Sequence, residues 1–215
     1  MITAHDFIRS VISLAPGCDL PKVRETADSL IHRWSEPHRR YHNLTHLAEV
    51  IAAADELRHA WQIGLPDMPP VHLAAWFHES VYDVRMPGNE AYSAAFAESC
   101  LTDLGLGSRH IADIVAMITE STMHLVDSFA PASHRVFHDA DLWILSAPEK
   151  RYRRYQKQVR KEFAHVEDEH FRLGRLAVIR PFAERERLYL TDHAHRVWGP
   201  RATRNLTREL AELSH

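Results

Sequence analysis

Cysteine, glycine and lysine are all scarce in this chain. Its two cysteines, Cys18 and Cys100, lie far apart in 215 residues and form no CxxC pair. That arrangement excludes a disulfide scaffold and a thiolate metal site, and it fits a reduced, cytoplasmic setting. With only 7 glycines and 11 prolines, collagen-like and low-complexity architectures are excluded as well. Uncharged runs are short: the longest stretch without Asp, Glu, Lys or Arg runs from Met68 to His78. A membrane span needs ~18 or more apolar residues, so none is expected. No apolar block follows a basic start, so no secretory leader is expected either. A surplus of positive charge is also missing. With 26 basic residues against 29 acidic ones and a net charge of −3, a general nucleic-acid surface is not indicated.

What is present is an ordinary globular composition, 45% hydrophobic and 26% charged, with helical periodicity almost throughout. Val23, Ala27, Leu30, Ile31 and Trp34 form one stripe, opened by Pro21 in the first turn. Leu44, Leu47, Val50, Ile51, Ala54, Leu57 and Trp61 form another, with Asn43 as its cap. Further helices are expected at about 4–14, 70–82, 89–104, 108–122, 134–146, 148–172, 176–190 and 200–213. Glycine and proline fall mostly between these segments, and no strand-like alternation or linker occurs. The expectation is one all-α domain over residues 1–215, a helical bundle with additional C-terminal helices. Arginine outnumbers lysine 22 to 4, which suits phosphate recognition but equally reflects a compositional habit. The 17 histidines are the less ordinary feature, since imidazole ligates metals and titrates near neutrality.

Three segments could carry chemistry. In Tyr41-His42-Asn43-Leu44-Thr45-His46 the two histidines are four apart and can share a helix face. Taken alone, they are as readily surface histidines. In Ala74-Ala75-Trp76-Phe77-His78-Glu79, a His–carboxylate pair sits in an otherwise apolar helix. Burying that carboxylate is costly unless it is paired or bound to metal. In His138-Asp139-Ala140-Asp141-Leu142, two acids precede an apolar run. Asp139 could cap a helix there, leaving Asp141 facing inward.

Together these segments resemble the HD superfamily of metal-dependent phosphohydrolases, whose pattern is a His, a His-Asp pair and a distant Asp on helices. The matching positions are His46, His78-Glu79 and Asp141. The likeness is closest to small bacterial predicted HD phosphohydrolases with segments YHNLxH, WFHD, NExxSA and DADL. Those segments correspond to Tyr41–His46, Trp76–Glu79, Asn89–Ala94 and Asp139–Leu142, and the tail around Asn205-Leu206 is also similar. The resemblance implies a divalent cation (Mn, Mg, Fe, Ni or Zn) held by His46, His78, Glu79 and Asp141. It further implies a small phosphorylated substrate, a nucleotide by expectation. The Tyr-His-Asn-x-x-His segment is similar to one in cyclic-nucleotide phosphodiesterases, which makes His42 the implied general acid. Glu90 becomes a candidate proton shuttle, and Arg40, Asn43 and His124 candidate substrate contacts.

One position departs from the family. Glu79 stands where Asp is usual, which lengthens the carboxylate by a methylene in a site where ~0.5 Å matters. The departure supports an alternative, a ligand-binding or regulatory module that has lost turnover. A two-iron oxygenase is a third option, with His124 the extra ligand at hand. The basic segment from Lys150 to Lys161 reads as a solvated helix face, because Tyr152, Tyr155, Val159, Phe163 and Val166 form its inward stripe. Nucleic acid is not the expected partner, and a homo-oligomer is left open.

Overall fold

The computed structural model describes residues 2–61 and 67–214. Among these residues there are eleven α-helices and no strand, as the periodicity predicts. In order they are α1 (Ala4–Leu14), α2 (Leu20–Trp34), α3 (Leu44–Ala60), α4 (Met68–Phe77), α5 (Asn89–Asp103), α6 (Ser108–Ser121), α7 (Ala132–Asp141), α8 (Glu149–Glu162), α9 (Asp168–Glu184), α10 (Asp192–Val197) and α11 (Gly199–Leu213). A 3₁₀ turn, Leu142–Ser146, continues α7. The break expected from Gly64 to Pro70 lies partly outside the described residues, while Pro69 and Pro70 sit in the first turn of α4.

Local chemistry sets the ends. Thr3 and Asp6 close a capping box on α1, Asp19 caps α2 through the Lys22 amide, and Asn43 caps α3 through the Thr45 amide. Gly105, at φ +79, turns the chain out of α5 while the Leu106 amide reaches back to the Leu101 carbonyl.

Several boundaries differ from expectation: α7 gives way to a 3₁₀ turn after Asp141, α9 runs unbroken to Glu184 with no helix over 185–190, α10 is unanticipated, and two further differences bear on the site and its surroundings. Helix α4 stops at Phe77, so His78 and Glu79 lie at and beyond its C-terminus instead of inside a helix to 82. The helix expected over 148–172 is two, α8 and α9, although neither glycine nor proline lies between them. Arg160 supplies the stop, donating to the carbonyls of Phe163 and Val166 and pairing with Asp168.

Helix α4 is buried on nearly every side, between α1, α3, α5, α6 and α7. Helices α3, α4 and α7 pack against one another pairwise, and that mutual contact brings one end of each together. The C-terminal helices close over this core. Asn205 of α11 donates to the carbonyls of Leu145 and Ala147 at 2.9 Å each, satisfying groups that the 3₁₀ turn leaves open. Arg175 of α9 and Glu209 of α11 form a buried ion pair at 2.8 Å, and the Tyr152 hydroxyl of α8 donates to the same carboxylate. No described helix is long and apolar enough to cross a membrane.

The Arg175–Glu209 pair generates a stability prediction. Glu209→Ala leaves a buried guanidinium without its counterion and is expected to cost about 3–5 kcal/mol in urea unfolding. A loss below about 1 kcal/mol would show that α9 and α11 do not depend on this pair.

Candidate metal centre

His46 lies in the first turn of α3, His78 just beyond the end of α4, and Asp141 at the last residue of α7. Their donor atoms converge. His46 Nε2 and His78 Nε2 are 3.2 Å apart, and each is 3.4 Å from Asp141 Oδ1. These three residues form a group able to hold a metal ion. Donors about 2.1 Å from one ion, at angles of about 90–110°, stand about 3.0–3.4 Å apart, so the spacing fits a shared cation.

The surroundings aim these donors. His78 Nδ1 donates to the Ala75 carbonyl at 2.8 Å, which leaves Nε2 as the nitrogen facing the group. Trp34 stacks obliquely on both imidazoles, and its indole N–H donates to the Trp76 carbonyl at 2.9 Å. Tyr41 covers His46, with ring centroids 4.7 Å apart. Arg39, whose side chain is fully buried, donates to the carbonyls of Glu79 at 2.7 Å and His42 at 3.2 Å. That one guanidinium ties the loop carrying His42 to the turn carrying Glu79.

The electrostatics suit a cation. Burial opposes charge on both histidines. At His78 the Asp141 and Glu79 carboxylates outweigh it and raise the pKa, whereas His46, beside His78, is lowered to about 4. Two imidazole nitrogens at 3.2 Å cannot both carry protons, so the pair holds one. Asp141 is buried too, yet the imidazoles around it keep its carboxyl well below the ordinary range. Burial raises Glu79, and its Oε2 is buried without a hydrogen-bond partner. An orphaned carboxylate oxygen here is another sign of room for positive charge.

The expected residues fall into distinct places. His46, His78 and Asp141 come together as expected. Glu79 does not join their donor group and stands beside it, acting electrostatically on His42 and His78. Glu90, in the first turn of α5, is half-buried and raises Glu79 through its charge. His42 lies next to the group, its ring 5.7 Å from that of His46. His124 Nε2 is 3.9 Å from Asp141 Oδ2, on the side of the carboxylate away from the histidine pair. The Asn43 side chain is taken up locally by the Arg40 carbonyl and the Thr45 amide, so it is a cap. Arg40 is exposed and contributes its backbone. Asp139 is no cap: it is fully buried and accepts the Leu190 and Thr191 amides at 2.8 and 2.7 Å.

The sequence reading misses Glu162. Its Oε1 accepts the backbone amides of Arg40, Tyr41 and His42 at 2.7, 2.7 and 3.0 Å. Its Oε2 faces His42 Nδ1 at 2.8 Å and accepts the Tyr82 hydroxyl at 2.9 Å. Burial works against its charge, but these donors hold its pKa at about 2. A signal existed: Tyr152, Tyr155, Val159 and Glu162 recur at helical spacing and all are buried. An acid on an apolar stripe asks for a partner.

A scan against protein-family models finds no match, and a search of curated proteins finds none either.

Metal uptake should displace the shared proton. Zinc added to metal-free protein at pH 6, below the raised His78 pKa, is expected to release up to about one proton per ion, and the release should fall as pH rises through that raised value. Calorimetry in two buffers of different ionisation enthalpy reads this directly. Asp141→Asn and His46→Ala should abolish uptake, whereas Glu79→Gln should weaken it about 10–100-fold, as for a group outside the ligand set.

Proposed function

We propose that this chain is a metal-dependent phosphohydrolase of the HD kind, acting on a phosphomonoester or phosphodiester, with a nucleotide as the expected substrate. The observation that carries this reading is the convergence of His46, His78 and Asp141 from three helix ends, with a carboxylate-held His42 alongside. A divalent cation bound by those three residues supplies Lewis-acid charge and a water acidic enough to attack at neutral pH.

The chain's own residues account for the rest. Glu162 engages His42 Nδ1, which leaves Nε2 as the nitrogen able to give a proton to a departing alkoxide. Burial disfavours the imidazolium, but Glu79 and Glu162 outweigh it and raise the His42 pKa above 6.5. The acid form therefore persists to higher pH than in a free imidazole and is lost as pH rises through that raised value. Trp34, Tyr41 and Phe137 wall the histidines on the inner side and keep bulk water from them.

A second reading, a binding or regulatory module without turnover, is favoured by the position of Glu79 outside the three-donor group. Metal analysis of protein purified without chelator, then a panel of nucleotides and simple phosphoesters, separates the two. The hydrolase reading expects about one cation per chain and turnover of at least one phosphoester. Bound cation with no turnover on any member would favour the module.

His42→Ala should preserve metal content and cut turnover of alkyl phosphoesters by roughly 10²–10⁴-fold. A nitrophenyl ester should suffer far less, because its leaving group departs without a proton. Glu162→Gln should shift the alkaline limb of the pH–rate profile to lower pH, since removing that carboxylate lowers the His42 pKa. Equal slowing of both ester types by His42→Ala would remove it as the acid.

A further inference from the structure

His124 is held in an unusual way. Among the described residues it is the non-glycine residue with positive φ, at 48°. Positive φ is uncommon for a side-chain-bearing residue, although histidine adopts it more readily than most, so what holds this turn is worth tracing. Its sequence neighbours supply little restraint, since Met123 and Leu125 are 66% and 70% exposed and Phe129 is 95% exposed. A polar restraint falls mainly on one atom. The His124 carbonyl accepts from Arg185 Nη1 at 2.8 Å, and His138 Nε2 faces it at 3.3 Å. Arg185 also donates to the Met123 carbonyl at 3.3 Å.

Both grips lead back to one stretch of chain. Arg185 lies just past the end of α9. The other nitrogen of His138, Nδ1, faces Asp139 Oδ1 at 2.9 Å, and the Asp139 carboxylate is fixed by the Leu190 and Thr191 amides. Residues 185–191 thus reach His124 twice, directly through a guanidinium and indirectly through Asp139 and His138. The Phe182 ring, with its centroid 5.6 Å away, braces the imidazole. The imidazole Nε2 stands 3.9 Å from Asp141 Oδ2, and its Nδ1 is buried without a hydrogen-bond partner.

We propose that His138 and Arg185 are positioning residues that clamp His124 in its left-handed turn, so that its imidazole stands beside Asp141 as a contact for a phosphoryl group. The phosphoryl contact rests on the phosphohydrolase reading; the clamp does not. Neither residue touches the histidine pair; Arg185 acts through the His124 backbone, and His138 acts through that same carbonyl and through an edge-on contact of its ring with the His124 imidazole, centroids 5.9 Å apart.

The test uses the zinc-loaded 215-residue chain and inorganic phosphate as probe. His124→Ala and Arg185→Met should each weaken phosphate binding about tenfold, the double variant should lose no more than either alone, and metal content should stay unchanged. Arg185→Lys should recover most of the loss. Independently of any ligand, the His124 cross-peaks in long-range proton–nitrogen spectra should move in Arg185→Met and in His138→Gln, while those of His46 and His78 hold still. Unmoved His124 cross-peaks, or losses that add in the double variant, would overturn the clamp. If the wild-type protein binds no phosphate while the cross-peaks move as expected, the clamp stands and the phosphohydrolase reading falls.

Discussion

Two imidazole nitrogens 3.2 Å apart, walled by Trp34 and Tyr41 and facing one carboxylate, are the constraint on which the architecture turns. Neither nitrogen can retreat into water and the two cannot both be protonated, so the spacing suits one shared proton or a cation between them. Helix packing imposes the approach. Because α3, α4 and α7 touch pairwise, displacing any one of the three donors means sliding a buried helix end past two others. Close-packed interiors resist such sliding. The energy that assembles the donor set is therefore that of the apolar core, of which Leu47, Trp76 and Phe77 are part.

Much of this was legible beforehand because the signals were local. The stripe from Leu44 to Leu57 and the cap at Asn43 fix α3, and with it the placement of His46 in a first turn. His78 and Asp141 stood out as polar groups in apolar surroundings, a pattern that physical chemistry penalises without a partner. What escaped was whatever depends on the partner's identity. Nothing at Glu162 announces that it will receive three backbone amides from residues some 120 positions away. Arg160 ends α8 by folding its guanidinium back on carbonyls, which leaves no glycine or proline to read. Asp139 resembles a cap by position and acts as a long-range acceptor instead. The failure is the same in each case: the function of a hydrogen-bonding group is set by the far end of the bond.

The organisation around the donors divides labour along the chain. The three donor residues all come from the first 141 positions, while the groups that orient His42 and His124 come largely from beyond them, through Glu162 and Arg185. Glu79 fits neither set cleanly. Its carboxylate contributes charge to its neighbours while its backbone carbonyl receives the buried Arg39. A longer side chain at this position can still tune the field at His42 and His78 even though it stands outside the tight group.

Asn205 carries a consequence for motion. By closing the carbonyls of Leu145 and Ala147, it fastens the last helix to the turn that directly follows Asp141. Opening of α11 therefore uncovers two buried carbonyls at the end of the turn that follows Asp141, so the order of that turn depends on the helix. Local fraying of the C-terminus is thereby coupled to the order of the turn that follows Asp141: any ion that Asp141 would hold would depend in part on the lifetime of a helix that supplies none of the three donors.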